Sequence, residues 1–352
     1  MDKLNNFYKN KKVFVTGHTG FKGSWLVNTL LFFGSKVYGY SLQDPNIKHY
    51  KKFCDYKKVH NFYGDILDYN KLRNVLNKTK PEIIFHLAAQ SLVSESFKKP
   101  KLTIATNFNG TLNIIEIAKR LKSVKSIVLI TSDKCYQNFE LSRGYKEEDR
   151  LGGDDPYSAS KAAVEIIFNS YIKSELFNLK KYGIATARAG NVIGGGDWSK
   201  NRIIPDCVRS IINNKKLFIR NLSSTRPWQH VLEPISGYLL LGKKLFLDPI
   251  KYSTSYNFGP SNKLTLSVKE LINLFFKEIA IKKKIFRTSG KFKESKLLKL
   301  NSNKSKNKLN WKNTWDMNQS IKETASWYKN YLEKKLISSN FTLTQIRRYF
   351  ND

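Results

Sequence analysis

Tyr157 and Lys161 stand four residues apart in Tyr157-Ser158-Ala159-Ser160-Lys161. In a helix that spacing puts both on one face, one turn apart. A free tyrosine, with a pKa of about 10, is a poor base at neutral pH. An ammonium held beside it favours the phenolate, which can then take a proton from a substrate hydroxyl. YxxxK alone arises often by chance. Here it is accompanied by Thr131-Ser132 at the end of an apolar run and by Gly17-His18-Thr19-Gly20-Phe21-Lys22-Gly23 directly after another. Glycines in such a GxxGxxG serve a tight turn, close approach to a pyrophosphate and tight packing of helix on strand. The N-terminus of the helix that follows offers N–H groups and partial positive charge to phosphates. The arrangement predicts a dinucleotide site at Gly17, His18, Thr19, Gly20, Phe21 and Gly23, next to the tyrosine and lysine.

Two further positions bear on that cofactor. The acid expected to grip the adenine ribose at the end of the second strand is replaced by Tyr40-Ser41, and Asp44 lies in a loop before Pro45. NAD and NADP both stay open on this evidence. Asp65 with Ile66, just past the third strand, is placed to hydrogen-bond the adenine amino group. Asp65 also reads as a helix N-cap, and the two roles are compatible.

These groups need a scaffold, and the sequence specifies one. Short β-branched runs at Lys12–Thr16, Lys36–Tyr40, Val59–Tyr63, Glu82–Leu87, Ser126–Thr131 and Ile184–Arg188 alternate with longer amphipathic stretches. The stretches are Phe21–Phe33, Tyr69–Asn77, Phe108–Leu121 and Ser158–Leu176. Near-continuous apolar strands alternating with helices specify an α/β fold, a doubly wound parallel Rossmann-type sheet. A helix at Val231–Leu247 and a strand at Ser255–Gly259 return to it, and a Trp- and Tyr-bearing helix lies near Ile321–Lys335. The expected division is a dinucleotide-binding domain, 1–188 plus about 231–262, and a smaller C-terminal α/β substrate domain, 189–230 plus about 263–335. A basic tail, 336–352, follows.

Composition narrows the class. The chain has 352 residues, enough for a full core without disulfides. Its three cysteines (Cys54, Cys135, Cys207) have no CxxC spacing, so neither a disulfide framework nor a metal site is expected. The longest apolar run, Trp25 to Phe33, is broken by Asn28 and Thr29, short of the roughly 18–20 residues of a membrane span. The polar, lysine-rich start has no secretory h-region, and a reducing cytoplasm fits best. Lys plus Arg is 62 against 28 Asp plus Glu, a net charge of +34. Lysine greatly outnumbers arginine and is spread through nearly every segment. Specific nucleic-acid readers lean on arginine's fixed fork, so no specific nucleic-acid partner and no membrane are expected.

Longer stretches carry a resemblance. VFVTGHTGFKGSWL (13–26), HLAAQSLV (86–93), TSDKCY (131–136), DPYSASKAAVE (155–165), ARAGNVIGGGDW (187–198), RIIPD (202–206), RPWQHVLEP (226–234) and LNWKNTWD (309–316) span nearly the whole chain. Together they resemble the nucleotide-sugar branch of the extended short-chain dehydrogenase/reductases, and most closely its CDP-glucose 4,6-dehydratases. The resemblance implies NAD as cofactor and CDP-glucose as substrate. It also implies roles: Ser132 and Tyr157 hydrogen-bond the sugar 4-hydroxyl, and Lys161 holds the nicotinamide ribose while lowering the tyrosine pKa. Asp133 protonates the departing 6-hydroxyl, Lys134 abstracts the C5 proton, and Asn191 and Arg226 contact the diphosphate. His86, at a strand end, reads as structural. Such enzymes pair through two helices per subunit, so a homodimer or homotetramer is expected through Phe108–Leu121 and Ser158–Leu176, with Ile115, Ile167 and Phe168 on their outer faces.

Other readings compete. A C4 epimerase needs the tyrosine and nicotinamide but no acid and base at C6 and C5, so Asp133-Lys134 favours elimination. A dehydratase of another nucleotide sugar stays open, because residue chemistry alone does not distinguish cytosine from other bases. A non-catalytic RNA-binding protein would show decay of YxxxK or the glycine loop, and both are intact.

Overall fold

The computed structural model describes residues 2–43, 47–260, 265–288, 297–335 and 339–351. Seven parallel strands form one sheet: β1 (Lys12–Thr16), β2 (Lys36–Ser41), β3 (Val59–Tyr63), β4 (Ile83–His86), β5 (Ser126–Ile130), β6 (Gly183–Arg188) and β7 (Ser255–Asn257). Their order is β3-β2-β1-β4-β5-β6-β7, so the chain reverses its winding between β1 and β4. That switch point opens a crevice at the carboxyl ends of the strands, where α/β folds bind ligands. The doubly wound α/β fold expected from the sequence is the one observed.

Alternation along the strands explains the two helical layers. Val13, Val15, Ile83, Phe85, Val128, Ile130, Ala185 and Ala187 face one core. Phe14, Ile84, Ile127, Leu129 and Ile184 face the other. The first core is covered by α1 (Phe21–Phe32), through Trp25, Leu26 and Leu30. The second is covered by α2 (Tyr69–Thr79), α3 (Gly110–Ala118) and α4 (Pro156–Lys173), through Leu72, Leu76, Ile114, Ile115 and Phe168. Beyond the main sheet come α5 (Ile203–Ile212), α6 (Leu232–Leu247), α7 (Val268–Glu278), α8 (Met317–Lys334) and α9 (Ser339–Asn351). Three two-stranded ribbons accompany them: Val192–Ile193 with Gln229–His230, Thr225–Arg226 with Leu266–Ser267, and Leu217–Ile219 with Ile285–Arg287.

Several details differ from the sequence reading. Helix α4 starts at Pro156, not Ser158, because Asp155 accepts the Ser158 N–H and Pro156 takes the first helical position. Helix α8 starts at Met317 because Asp316 caps the Gln319 N–H. The stretch read as one helix from Phe108 is a π-helical turn, Ala105–Asn109, followed by α3. Ile115 and Phe168, expected on outer helix faces, are buried in the core beside the sheet, and the exposed apolar residue is Ile166. An error of one or two positions rotates a helical residue by about 100–200°, enough to exchange inside for outside. The segment expected as a basic tail carries α9, which buries Ile346, Tyr349 and Phe350. Its Arg348 and Gln345 both reach Glu323 of α8. Asp44 and the domain boundary near 262 lie outside the described residues.

Candidate active site

The glycine loop joins β1 to α1 at the switch point. Gly17 adopts φ +68°, and a Cβ there would lie 2.8 Å from the Ala88 amide nitrogen. A Cβ on Gly23 would lie 2.1 Å from the Gly17 carbonyl oxygen, so helix and loop touch backbone to backbone. Gly20 caps α1 with no side-chain hydrogen bond, which leaves the first amides of the helix to a ligand. Phe21 opens the helix and packs partly against the core. Thr19 Oγ1 donates to Ser41 Oγ at 3.1 Å, joining the loop to the end of β2. The His18 side chain is held inside the protein. Nε2 meets Asn61 Oδ1 at 3.0 Å, the ring packs edge-on to Tyr50, and burial pushes its pKa down to about 4. The imidazole is a neutral wedge beneath β2, where a Cβ on Gly39 would lie 2.3 Å from His18 Cδ2.

Asp65 is exposed and accepts the Leu67 N–H at 2.9 Å, while its carbonyl accepts from Tyr40 Oη at 3.0 Å. The N-cap of α2 is Asp68, not Asp65. Ile66 is buried against Gly110, where a Cβ would lie 2.5 Å from Ile66 Cγ2. His86 bridges Thr16 Oγ1 at 2.8 Å and Thr111 Oγ1 at 3.0 Å, and burial holds its pKa at about 3. Thr16 Oγ1 in turn accepts the Leu87 and Ala88 amides at 3.1 Å. His86 is therefore a neutral strut beneath the loops after β1 and β4.

Ser132, Asp133 and Lys134 follow β5 in a tight 3₁₀ turn, Asp133–Cys135, capped by Ser132. Ser132 Oγ accepts the Lys134 N–H at 3.2 Å and donates to Asp133 Oδ1 at 2.9 Å. Tyr157, at the start of α4, lies close enough to Ser132 for that hydroxyl to act on its pKa. Tyr157, Ser132 and Asp133 are all buried, with Lys134 half-buried. Burial dominates and raises the Tyr157 pKa, with Ser132 and Arg202 pulling the other way. Lys161 Nζ donates to the Ile130 carbonyl at 3.2 Å, and burial lowers its pKa to about 8 against the pull of Glu165.

Gly190 shapes this centre, since a Cβ there would lie 2.0 Å from Asp133 Oδ2. Asn191 follows at φ +42°, its carbonyl accepting the Gln229 N–H at 3.2 Å. Asp133, Gly190, Pro227 and Gln229 line one small cavity, so the RPWQ stretch meets the Asp133–Cys135 turn there. Arg226 lies one residue away, its Nη1 donating to the Thr225 carbonyl at 2.8 Å.

Two cations went unnoticed in the sequence. The ammonium of Lys22, within the glycine loop, is enclosed although part of the residue is exposed, and burial lowers its pKa to about 8. Arg202 precedes α5 and acts electrostatically on both Lys22 and Tyr157. Only a lysine at the sixth loop position could have flagged the first, and nothing local flags the second. Among the described residues no three or more His, Cys, Asp or Glu gather as metal ligands. No described helix is long and apolar enough to cross a membrane.

A family model described as GDP-mannose 4,6 dehydratase matches residues 14–324. A CDP-glucose 4,6-dehydratase of Salmonella typhimurium is 40% identical over 348 residues, 95% of this chain and 95% of that protein. A Bacillus anthracis dTDP-glucose 4,6-dehydratase solved in complex with NAD superposes with a TM-score of 0.77 at 22% identity, covering 94% of this chain and 99% of that one. A Thermotoga maritima UDP-glucose 4-epimerase solved with UDP-glucose superposes at 0.80 and 19% identity, covering 91% and 99%. The two solved structures share the fold across both reaction types.

Proposed function

The chain belongs to the GDP-mannose 4,6-dehydratase family, and from that footing we propose that it is the hydro-lyase converting CDP-D-glucose to CDP-4-dehydro-6-deoxy-D-glucose and water. The observation that carries this reading is the 40% identity, over 95% of both chains, to a CDP-glucose 4,6-dehydratase. The product suits deoxysugar and surface-polysaccharide synthesis, and a cytoplasmic homodimer or homotetramer is part of the reading.

The residues present fit NAD. Gly17 and Gly23 leave no room for a Cβ, and the uncapped start of α1 suits a pyrophosphate. Exposed Asp65 is available to the adenine amino group. Held there, NAD would supply the hydride acceptor for oxidation at C4 and the hydride donor for reduction at C6.

The remaining work belongs to side chains. Tyr157 accepts the 4-hydroxyl proton, with Ser132 and Arg202 working against the burial that raises its pKa, and Lys161 holds the nicotinamide ribose. A ketone at C4 makes the C5 hydrogen acidic, which it is not in the starting sugar. Lys134 removes that proton while Asp133 gives one to the departing 6-hydroxyl. Adjacent residues of a tight turn point differently, so acid and base address neighbouring carbons. Arg226 and Asn191 hold the diphosphate, the guanidinium meeting two oxygens at once.

Substrate deuterated at C4 tests the reading. The product should carry that deuterium at C6, with solvent deuterium at C5 when the reaction runs in heavy water and no net NADH. CDP-glucose should outpace UDP-, dTDP- and GDP-glucose. The label reappearing at C4 of an inverted sugar refutes the elimination, and preference for another base refutes the substrate.

A further inference from the structure

Helix α4 carries a third member of the Tyr157, Lys161 row. Glu165, one more turn along, is fully buried. Its carboxylate accepts from Thr131 Oγ1 at 2.5 Å, Thr186 Oγ1 at 2.7 Å, Ser255 Oγ at 3.1 Å and Arg188 Nη2 at 2.7 Å. Burial alone would raise the Glu165 pKa, but the Arg188 guanidinium overrides it and holds the group ionised. Arg188 Nη1 continues to Tyr136 Oη at 2.5 Å and to the Glu147 carbonyl at 3.1 Å. The guanidinium also lies 4.8 Å from the Tyr136 ring centre. Tyr136 Oη donates onward to Asn257 Oδ1 at 2.9 Å.

The two ends of this pair reach opposite flanks of one short segment. Thr131 immediately precedes Ser132, and Tyr136 immediately follows the Asp133–Cys135 turn. Glu165 holds the first flank and Arg188 the second. We infer that the buried Glu165–Arg188 ion pair is a positioning device that clamps the 131–136 segment at both ends and so fixes where Asp133 and Lys134 stand for the elimination. The inference rests on the elimination roles assigned to those two residues. A buried ion pair offers little net stability over apolar packing of the same volume, so its retention is better explained by orientation than by strength. Misplacement of reacting groups by about 1 Å can cost about 100-fold in rate.

The test uses variants that weaken the clamp without stranding a buried charge, as Glu165→Gln would strand Arg188. Thr131→Val removes a hydroxyl from the Glu165 end, and Tyr136→Phe removes one from the Arg188 end. Ser255→Ala removes a hydroxyl from the same carboxylate but has no link to the turn. The unaltered chain is assayed first. Failure of that chain to dehydrate CDP-glucose removes the proposed function itself. With an active parent, Thr131→Val and Tyr136→Phe should each lower kcat about 10- to 100-fold with KM within threefold. Bound NADH should form at the parental rate and accumulate, because oxidation precedes the step that is slowed. Ser255→Ala should stay within threefold of the parent. Parental kcat in both clamp variants, equal slowing of NADH formation, or equal losses in Ser255→Ala each overturn the inference.

Discussion

Gly190→Ala should stall the elimination while leaving the protein folded. The added Cβ would sit 2.0 Å from Asp133 Oδ2 and 2.4 Å from its Cγ. Ordinary contact begins near 3.4 Å, so the carboxylate must retreat by about 1.4 Å. The atoms in the way are the end of a side chain, and Gly190 is not among the residues of positive φ, so alanine strains no backbone. The cost falls on where Asp133 stands. Displacement beyond 1 Å corresponds to about 100-fold in rate, or about 2.7 kcal/mol of barrier. Stopped-flow mixing with CDP-glucose should show NADH absorbance rising at the parental rate and persisting, with 4-keto-6-deoxy product formed about 100-fold more slowly. KM and Tm should change little, because the role proposed for Asp133 is at the leaving 6-hydroxyl and its carboxylate is tied by the hydrogen bond from Ser132. Product formed at the parental rate, or NADH formation slowed as much as product, refutes the geometry.

Lys161, with a pKa lowered to about 8, loses its charge as pH rises through that value, so kcat/KM should fall on the alkaline side. Lys161→Arg, which stays charged throughout, should abolish that limb in whatever activity remains. A limb still present near pH 8 assigns it to another group, such as Lys22. Arg226→Lys should raise KM roughly 10-fold or more with a smaller fall in kcat, because a diphosphate contact formed equally in ground and transition states affects binding. Unchanged KM in Arg226→Ala refutes the contact. Nucleic acid should bind at about 10⁻⁴ to 10⁻⁶ M with steep salt dependence and no sequence preference, as expected of dispersed lysine. Nanomolar, sequence-selective binding at physiological salt contradicts that.

What was legible in the sequence follows from how local each signal is. The glycine loop, YxxxK and the six early strands are encoded within single elements, where spacing of one or two turns carries the geometry. Helix starts were misplaced where capping outweighed periodicity, as at Asp155 and Asp316. The last helix was invisible as a helix in a stretch read by its charge, because its apolar residues Ile346, Tyr349 and Phe350 declare themselves only against a partner surface. The direction of the tyrosine pKa in the chain alone lies beyond the sequence for a related reason. Sequence names the ammonium that would lower it, but the burial that raises it is a property of the assembled crevice.

The same reasoning explains why one site on one fold can serve two reactions. The glycine loop after β1, the His86 strut at the end of β4, the Asp133–Cys135 turn after β5 and the Gly190-Asn191 segment after β6 all stand at the carboxyl ends of neighbouring strands. The fold, shared with a solved dehydratase and a solved epimerase alike, leaves the choice of reaction to the residues carried at those strand ends. Elimination needs an acid and a base fixed over two adjacent carbons, and the proposed function places that demand on the residues of the 131–136 segment. Asp133 is given room by a glycine at 190, and both flanks of the segment are tied to a buried ion pair. On the proposed roles, specificity for elimination lies less in the sheet than in how rigidly that one turn is held.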